Sequence, residues 1–160
     1  MNREEFISYV EDCQGSLRRF LTALCCGDSY TADDIAQETL IKAWLSCDDF
    51  RCDSSFDTWV RRIAYNTFLN HRRSLRPHDD LSQTIAVESR NRADDAFNYQ
   101  ALYDALGRLS EKERTSVALY YLDGYAIQEI ADIEGVSADA VKQHLSRGRT
   151  HLRRLINPHD

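Results

Sequence analysis

Five cations crowd one short segment near the end of the chain. Lys142, Arg147, Arg149, Arg153 and Arg154 lie within D-A-V-K-Q-H-L-S-R-G-R-T-H-L-R-R-L, residues 139–155. Asp139 is the one acid among them, so the segment carries +4 and the rest of a chain of net charge −6 carries −10. Guanidinium and ammonium groups bond to phosphates and guanine edges, and an amide such as Gln143 pairs with adenine. A second set stands upstream. Trp59, Arg62, Asn66, Asn70 and Arg73 recur at helical spacing, with Arg61, Tyr65, Phe68 and Arg72 on the neighbouring stripe. Aromatic, amide and guanidinium groups on one helix suit stacking on bases and pairing with phosphates.

Covalent and metal chemistry find no comparable support. No Ser/His/Asp or metal constellation stands at useful spacing, so an enzyme is not expected, nor a cofactor or metal. The cysteines Cys13, Cys25, Cys26, Cys47 and Cys52 form no C-x-x-C and are odd in number, which speaks against a full disulfide set. Cys47 and Cys52 with His71 or His78 match no standard zinc spacing. A redox pair of Cys47 and Cys52 is the alternative. Reduced thiols in a cytoplasmic chain, with Cys13 as a small core residue, are the simpler reading.

The elements that would position these groups are helices. Phe6, Val10, Cys13, Leu17, Phe20, Leu21 and Leu24 share one face of a helix over 3–24 that Gly27 closes. Thr31 and Asp34 predict the start of a second helix with a capping box. Its buried face is Ile35, Ala36, Leu40 and Ala43, beside a half-apolar stripe of Asp34, Gln37, Glu38, Ile41 and Trp44. A loop over 46–55 follows, then a third helix opened by Ser54 and Asp57 and running to about Arg73, with Phe56, Val60, Ile63 and Thr67 inward. Residues 74–95 lose periodicity and predict a linker, which divides the chain at 1–75, 76–95 and 96–160.

Beyond it a helix is expected around 96–107. Another runs from the capping box Ser110–Glu113 to Leu122 and stops at Asp123-Gly124. Then Ala131, Gly135 and Val141 have helix-turn-helix spacing, with Ser137 capping the last helix. On that helix Val141, Leu145, Gly148, Leu152 and Leu155 face inward. Lys142, Gln143, Ser146, Arg147, Thr150, Arg153 and Arg154 face out. Lys142, Gln143, Ser146 and Arg147 in its first turns are the base-reading candidates, with Arg149, Arg153 and Arg154 suited to backbone or to a partner protein. The fold class is all-α, in two small helical domains. No apolar run reaches membrane-spanning length. A stand-alone helix-turn-helix regulator binding DNA as a dimer is the alternative reading.

Three segments, A-D-D-I-A-Q-E-T-L-I-K-A-W (32–44), F-R-C-D-S-S-F-D-T-W-V-R-R-I-A-Y-N (50–66) and Y-A-I-Q-E-I-A-D-I-E-G-V-S-A-D-A-V-K-Q-H-L-S-R-G-R (125–149), resemble an extracytoplasmic-function (group IV) sigma factor of bacterial RNA polymerase. The resemblance covers nearly the whole chain and implies a promoter-specificity subunit, with sigma region 2 followed by region 4. It implies that Asp34, Gln37, Glu38, Ile41 and Trp44 dock on the β′ clamp helices of core polymerase. It implies that the loop Phe50 to Phe56, Asp53 included, captures a flipped base of the −10 element. Trp59, Arg62, Asn66 and Asn70 would lie beside the melted strand, and Lys142, Gln143, Ser146 and Arg147 would read the −35 element. Contact of region 4 with the β flap and control by an anti-sigma factor, often membrane-anchored, are also implied.

Four positions depart from the family pattern: Ala126 for a capping Ser or Thr, Glu134 for Leu, His144 for Arg and Ser110 for Pro. Loss of a cap at Ala126 costs about 1 kcal/mol, and His144 weakens the grip on phosphate.

Overall fold

The computed structural model describes residues 1–50, 55–74 and 93–157, with side chains from Tyr99 onward in the second half. All regular structure among them is helical. The helices are α1 (Arg3–Leu24), α2 (Ser29–Leu45), α3 (Phe56–Ser74), α4 (Ala93–Gly107), α5 (Glu111–Val117), α6 (Ile127–Glu134) and α7 (Ala138–Ile156). A 3₁₀ turn, Cys47–Asp49, follows α2, and a π turn, Ala118–Leu122, continues α5.

The helix starts are set by side chains that satisfy the first free N–H groups. Asn2 and Glu5 form a capping box on α1, and Ser110 and Glu113 form one on α5. Ser137 Oγ accepts from Ala140 N at 3.1 Å to open α7. Two starts differ from expectation. Asp28, not Thr31, caps α2: its carboxylate accepts from Thr31 N at 3.2 Å and Thr31 Oγ1 at 2.6 Å. Ser55, not Ser54, opens α3, accepting from Thr58 N at 3.1 Å. Ala126 has no side chain to cap α6, yet Glu129 Oε1 accepts from its backbone N–H at 2.9 Å. Half of the box therefore survives the missing hydroxyl.

The ends differ too. Before Gly27 (φ 97), Cys26 already takes the left-handed conformation at φ 57. α4 begins at Ala93 rather than 96. The stretch before Asp123 does not stay α-helical: Asp123 N donates to Ala118 O at 3.1 Å, the wider π spacing.

Leu17, Phe20, Leu21 and Leu24 of α1 are fully buried, and α1, α2 and α3 pack on one another. Cys13 is buried as expected. Leu40 and Ile63 are only half-buried. In the second half α7 lies on α5 and α6 through Val141, Leu145 and Gly148. A Cβ on Gly148 would stand 2.8 Å from Val117 Cγ2, so the glycine permits this approach. Leu155, expected inward, is 38% exposed because the last turn runs past the core. The two halves share a seam, with α3 on α6 and α1 on α5.

Candidate nucleic-acid and polymerase interface

On α7, Gly135 ends the preceding helix at φ 71 and Ser137 restarts the chain, so the helix leaves the turn with its first turns free. Lys142, Gln143, Ser146, Arg147, Arg149, Thr150, Arg153 and Arg154 are all exposed. Arg149 Nη1 donates to Tyr121 Oη at 3.3 Å. The outward cationic and amide face drawn from the sequence is therefore one surface.

His144 does not join it. Its Nδ1 faces inward, 3.6 Å from Glu134 Oε1 and 3.4 Å from Ser116 Oγ, and its side chain is 13% exposed. Ser116 Oγ donates to Glu134 Oε2 at 2.6 Å. Two of the four departures thus meet inside the helix-turn-helix. Burial pushes the Glu134 carboxyl up to about 7, against the hydrogen bond from Ser116 and the charge of Lys112. Burial also lowers His144, helped by Lys112 and Arg147. A second imidazole, His151 Nδ1, lies 2.8 Å from Glu113 Oε1. Burial pushes Glu113 up, but His151 and the Ser110 N–H outweigh it and hold the carboxyl below its usual range.

In the first half, Phe6, Tyr9, Trp44, Phe50, Phe56 and Trp59 form an aromatic cluster. Phe56 is at its centre, stacked on Tyr9 at 4.7 Å and edge-on to Phe6 and Phe50 at 5.7 and 5.8 Å. Trp59 tilts against Phe50 at 5.1 Å and is half-buried. Phe56 is 5% exposed, so its ring is buried within this cluster. Asp53 and Cys52 lie outside the described residues. Arg62, Asn66, Asn70 and Arg73 are exposed along α3.

The neighbouring stripe behaves differently. Arg61, Tyr65 and Phe68 are buried and Arg72 is half-buried, and the two guanidinium groups meet Asp123 and Glu111 of the second half, at 3.4 and 3.0 Å. The sequence grouped this stripe with the nucleic-acid face; the partners of its two arginines prove to be acids of the protein itself.

Asp34, Gln37, Glu38 and Ile41 are exposed on α2, and Trp44 is half-buried beneath the Arg3 guanidinium, 5.2 Å from its ring. Between α1 and α2 a groove of about 550 Å³ is lined by Phe6, Ile7, Val10, Glu11, Gln14, Leu40, Ile41 and Trp44. The sequence stripe on α2 is one wall of it. The other wall, Ile7 and Val10 of α1, was missed because each reads as an ordinary helical apolar position. Among the described residues no group of acids, imidazoles and thiols could hold a metal. Burial pushes Cys13 up to about 11 and Cys25 up to about 12, so neither thiol ionises near neutrality. No described helix is long and apolar enough to cross a membrane.

An all-helical chain with an exposed cationic helix after a tight turn, and an aromatic-flanked loop before it, defines a two-part nucleic-acid-binding protein. Comparison with known proteins gives the class a name. Residues 9–85 match the Sigma-70 region 2 family and residues 99–152 match Sigma-70, region 4. The RNA polymerase sigma-H factor of Pseudomonas aeruginosa is 32% identical over 167 residues, spanning 95% of this chain and 84% of its own. The ECF RNA polymerase sigma factor SigW of Bacillus subtilis is 30% identical over 145 residues, 81% and 78% of the two chains. Among solved structures, sigma factor RpoE in complex with the anti-sigma factor NepR from Bartonella quintana matches with TM-score 0.82 and 24% identity, over 98% of this chain and 99% of that one. CnrH, solved with the cytosolic domain of CnrY, gives TM-score 0.74 and 25% identity, over 99% and 92%. The chain belongs to the extracytoplasmic-function sigma factors of the sigma-70 family. It is a non-catalytic subunit that directs RNA polymerase to promoters, and the stand-alone regulator is not favoured.

Proposed function

We propose a division of labour within this sigma factor. Residues 1–75 form the region 2 unit, 76–95 a linker and 96–160 the region 4 unit. Asp34, Gln37, Glu38, Ile41 and Trp44, with the groove beside them, bind the β′ clamp helices. Phe50, Asp53, Trp59, Arg62, Asn66 and Asn70 hold the separated strand at the −10 element, with Phe56 as the floor of the loop. Lys142, Gln143, Ser146 and Arg147 read the −35 duplex, and Arg149 holds its backbone. Region 4 also meets the β flap. The protein works in the cytoplasm.

The observation that carries this reading is the exposure of three separate faces on a helical frame. One is amphipathic on α2, one amide- and guanidinium-bearing on α3, and one cationic on α7. Capturing a base that has left the stack costs a few kcal/mol, and stacking on an aromatic ring returns about 1–3 kcal/mol. The energetics close only if polymerase holds both units on one promoter. We also propose an anti-sigma partner, since the chain has the fold of RpoE, which was solved with one. Run-off transcription with core polymerase across a promoter library, with footprinting in its presence and absence, tests the reading. Promoter-specific transcripts and a footprint that needs core enzyme support it; a footprint by the free chain at palindromic sites, unchanged by core enzyme, overturns it.

A further inference from the structure

Ser116, Glu134 and His144 meet where α5, α6 and α7 converge, and promoter reading as assigned above gives none of them a task. Ser116 Oγ donates to Glu134 Oε2 at 2.6 Å. Glu134 Oε1, on a side chain 1% exposed, has no hydrogen-bond partner among the described residues. It faces His144 Nδ1 across 3.6 Å, just beyond bonding length. Ser116 Oγ lies 3.4 Å from the same nitrogen. The helix that carries Ser116 is firmly held, because Arg114 donates to Leu24 O, Leu106 O and Leu109 O at 3.0, 3.0 and 3.1 Å. His144 is the member carried by α7. It directly follows Gln143 and stands three residues before Arg147, about one helical turn. The other inward residues of α7, Val141, Leu145 and Gly148, set its depth. Their contacts are non-directional, so the polar trio is what can fix rotation and slide.

One proton decides whether the trio closes. A neutral Glu134 carboxyl with its proton on Oε1 is a donor aimed at Nδ1, and the imidazole proton then sits on Nε2. Bonding from 3.6 Å draws the two groups together by about 0.7 Å. When that proton is lost to solvent, the carboxylate cannot donate. It needs Nδ1–H, the opposite tautomer, and remains a buried charge with one bond, from Ser116. Burial pushes this carboxyl up to about 7. Lys112 and Glu113 of α5, Arg147 of α7 and Tyr65 of α3 also act on the pair. Glu113 is held low and stays ionised, while burial pushes Tyr65 up to about 12 and keeps it neutral. His144 is lowered from 6.5 by burial, so near neutrality Glu134 is the member of the trio that changes charge. Duplex phosphates favour the less negative, protonated form, so DNA binding and proton uptake reinforce each other.

We propose that Ser116, Glu134 and His144 are positioning residues for −35 reading, a proton-dependent brace that seats α7 when protonated and loosens it when the proton leaves. The proposal rests on the assignment of α7 to the −35 duplex. The signal such a brace reads is acidification. One linked proton changes affinity by at most about tenfold per pH unit.

The test uses holoenzyme reconstituted from the full chain and core polymerase, with a promoter recovered by the run-off screen. Anisotropy gives the affinity for that duplex, and for the same duplex with its −35 element scrambled, from about pH 6.5 to 8.5 at fixed salt. The ratio of the two cancels what core polymerase and the −10 contacts contribute. In wild type it should fall about two- to fivefold over that range. Glu134→Gln keeps an acceptor for Ser116 and offers Nδ1 a permanent N–H, so its ratio should stay at the acid-side value. Ser116→Ala removes a bond that favours the ionised carboxyl, so the fall should move to higher pH. In the free chain, nitrogen-15 resonances of His144 should show Nδ1 as an acceptor on the acid side and as N–H on the alkaline side. A wild-type ratio that ignores pH overturns the proposal, even if the tautomer changes. So does a Glu134→Gln ratio that still falls. If scrambling the −35 element has no effect at any pH in any of these proteins, the −35 assignment of α7 fails and the brace falls with it.

Discussion

Glu134 has a carboxyl that is 1% exposed and accepts one hydrogen bond, from Ser116, while its second oxygen faces His144 without bonding it. The folded chain favours the protonated acid, with its pKa raised from 4.5 to about 7. The unfolded chain loses that proton earlier. Stability from this group is present at low pH and is lost as pH rises from about 4.5 to about 7. His144 works in the opposite sense, because its lowered pKa removes stability as pH falls below about 6.5. Melting temperature should therefore fall between about pH 6.5 and 7 in wild type, where the loss from Glu134 is no longer opposed by His144, and Glu134→Gln should flatten that limb, as followed by circular dichroism. At the other site, Trp59→Ala should lower open-complex formation on a duplex promoter about tenfold, the loss of roughly 1–3 kcal/mol of stacking. A promoter carrying a pre-melted −10 bubble should recover much of that loss in a permanganate-footprinting comparison.

At the scale of the helices, Gly148 decides how near α7 lies to α5. Alanine there gains up to about 1 kcal/mol of helix propensity. The new methyl meets Val117, a buried and branched side chain with one favoured rotamer, and overpacking costs about 1–3 kcal/mol. Gly148→Ala should lower the urea midpoint and weaken binding to a −35 duplex by holoenzyme, and Val117→Ala in the same chain should restore both. Much of this layer was legible in the sequence, because capping and periodicity are local. Ser110, Glu113 and Ser137 cap as read, and Gly148 makes room as read. Asp28 and Ser55 displaced their expected neighbours because several hydrogen-bonding side chains stand in a row and only the chain's approach angle selects one. The face of α3 bearing Arg61 was misassigned for a different reason. A stripe of arginine and aromatic residues has the same composition whether it meets bases or buried acids, and Asp123 lies 62 residues away. The pairing of Glu134 with His144 was equally hidden: each stood out singly as a departure, and only packing brings them together.

For the whole molecule, charge and connection matter more than any one contact. A helix segment of +4 sits in a chain otherwise at −10, so the long-range field opposes DNA while the local one attracts it. The free chain should bind non-specific duplex weakly at physiological salt, measured by anisotropy. In holoenzyme, Arg149→Ala should lower the slope of log affinity against log salt by about 0.9, with little change in promoter preference. The guanidinium of Arg114 has one further effect. It finishes helix α1 from a position 90 residues later in the chain. At roughly 5–20 residues per second, the ribosome adds those residues over about 5–20 s. During that interval the Leu24 carbonyl has the weak Cys26 thiol donor at 3.9 Å and solvent as its partners, so the nascent first half waits for translation of the second before its opening helix gains the Arg114 bond at 3.0 Å.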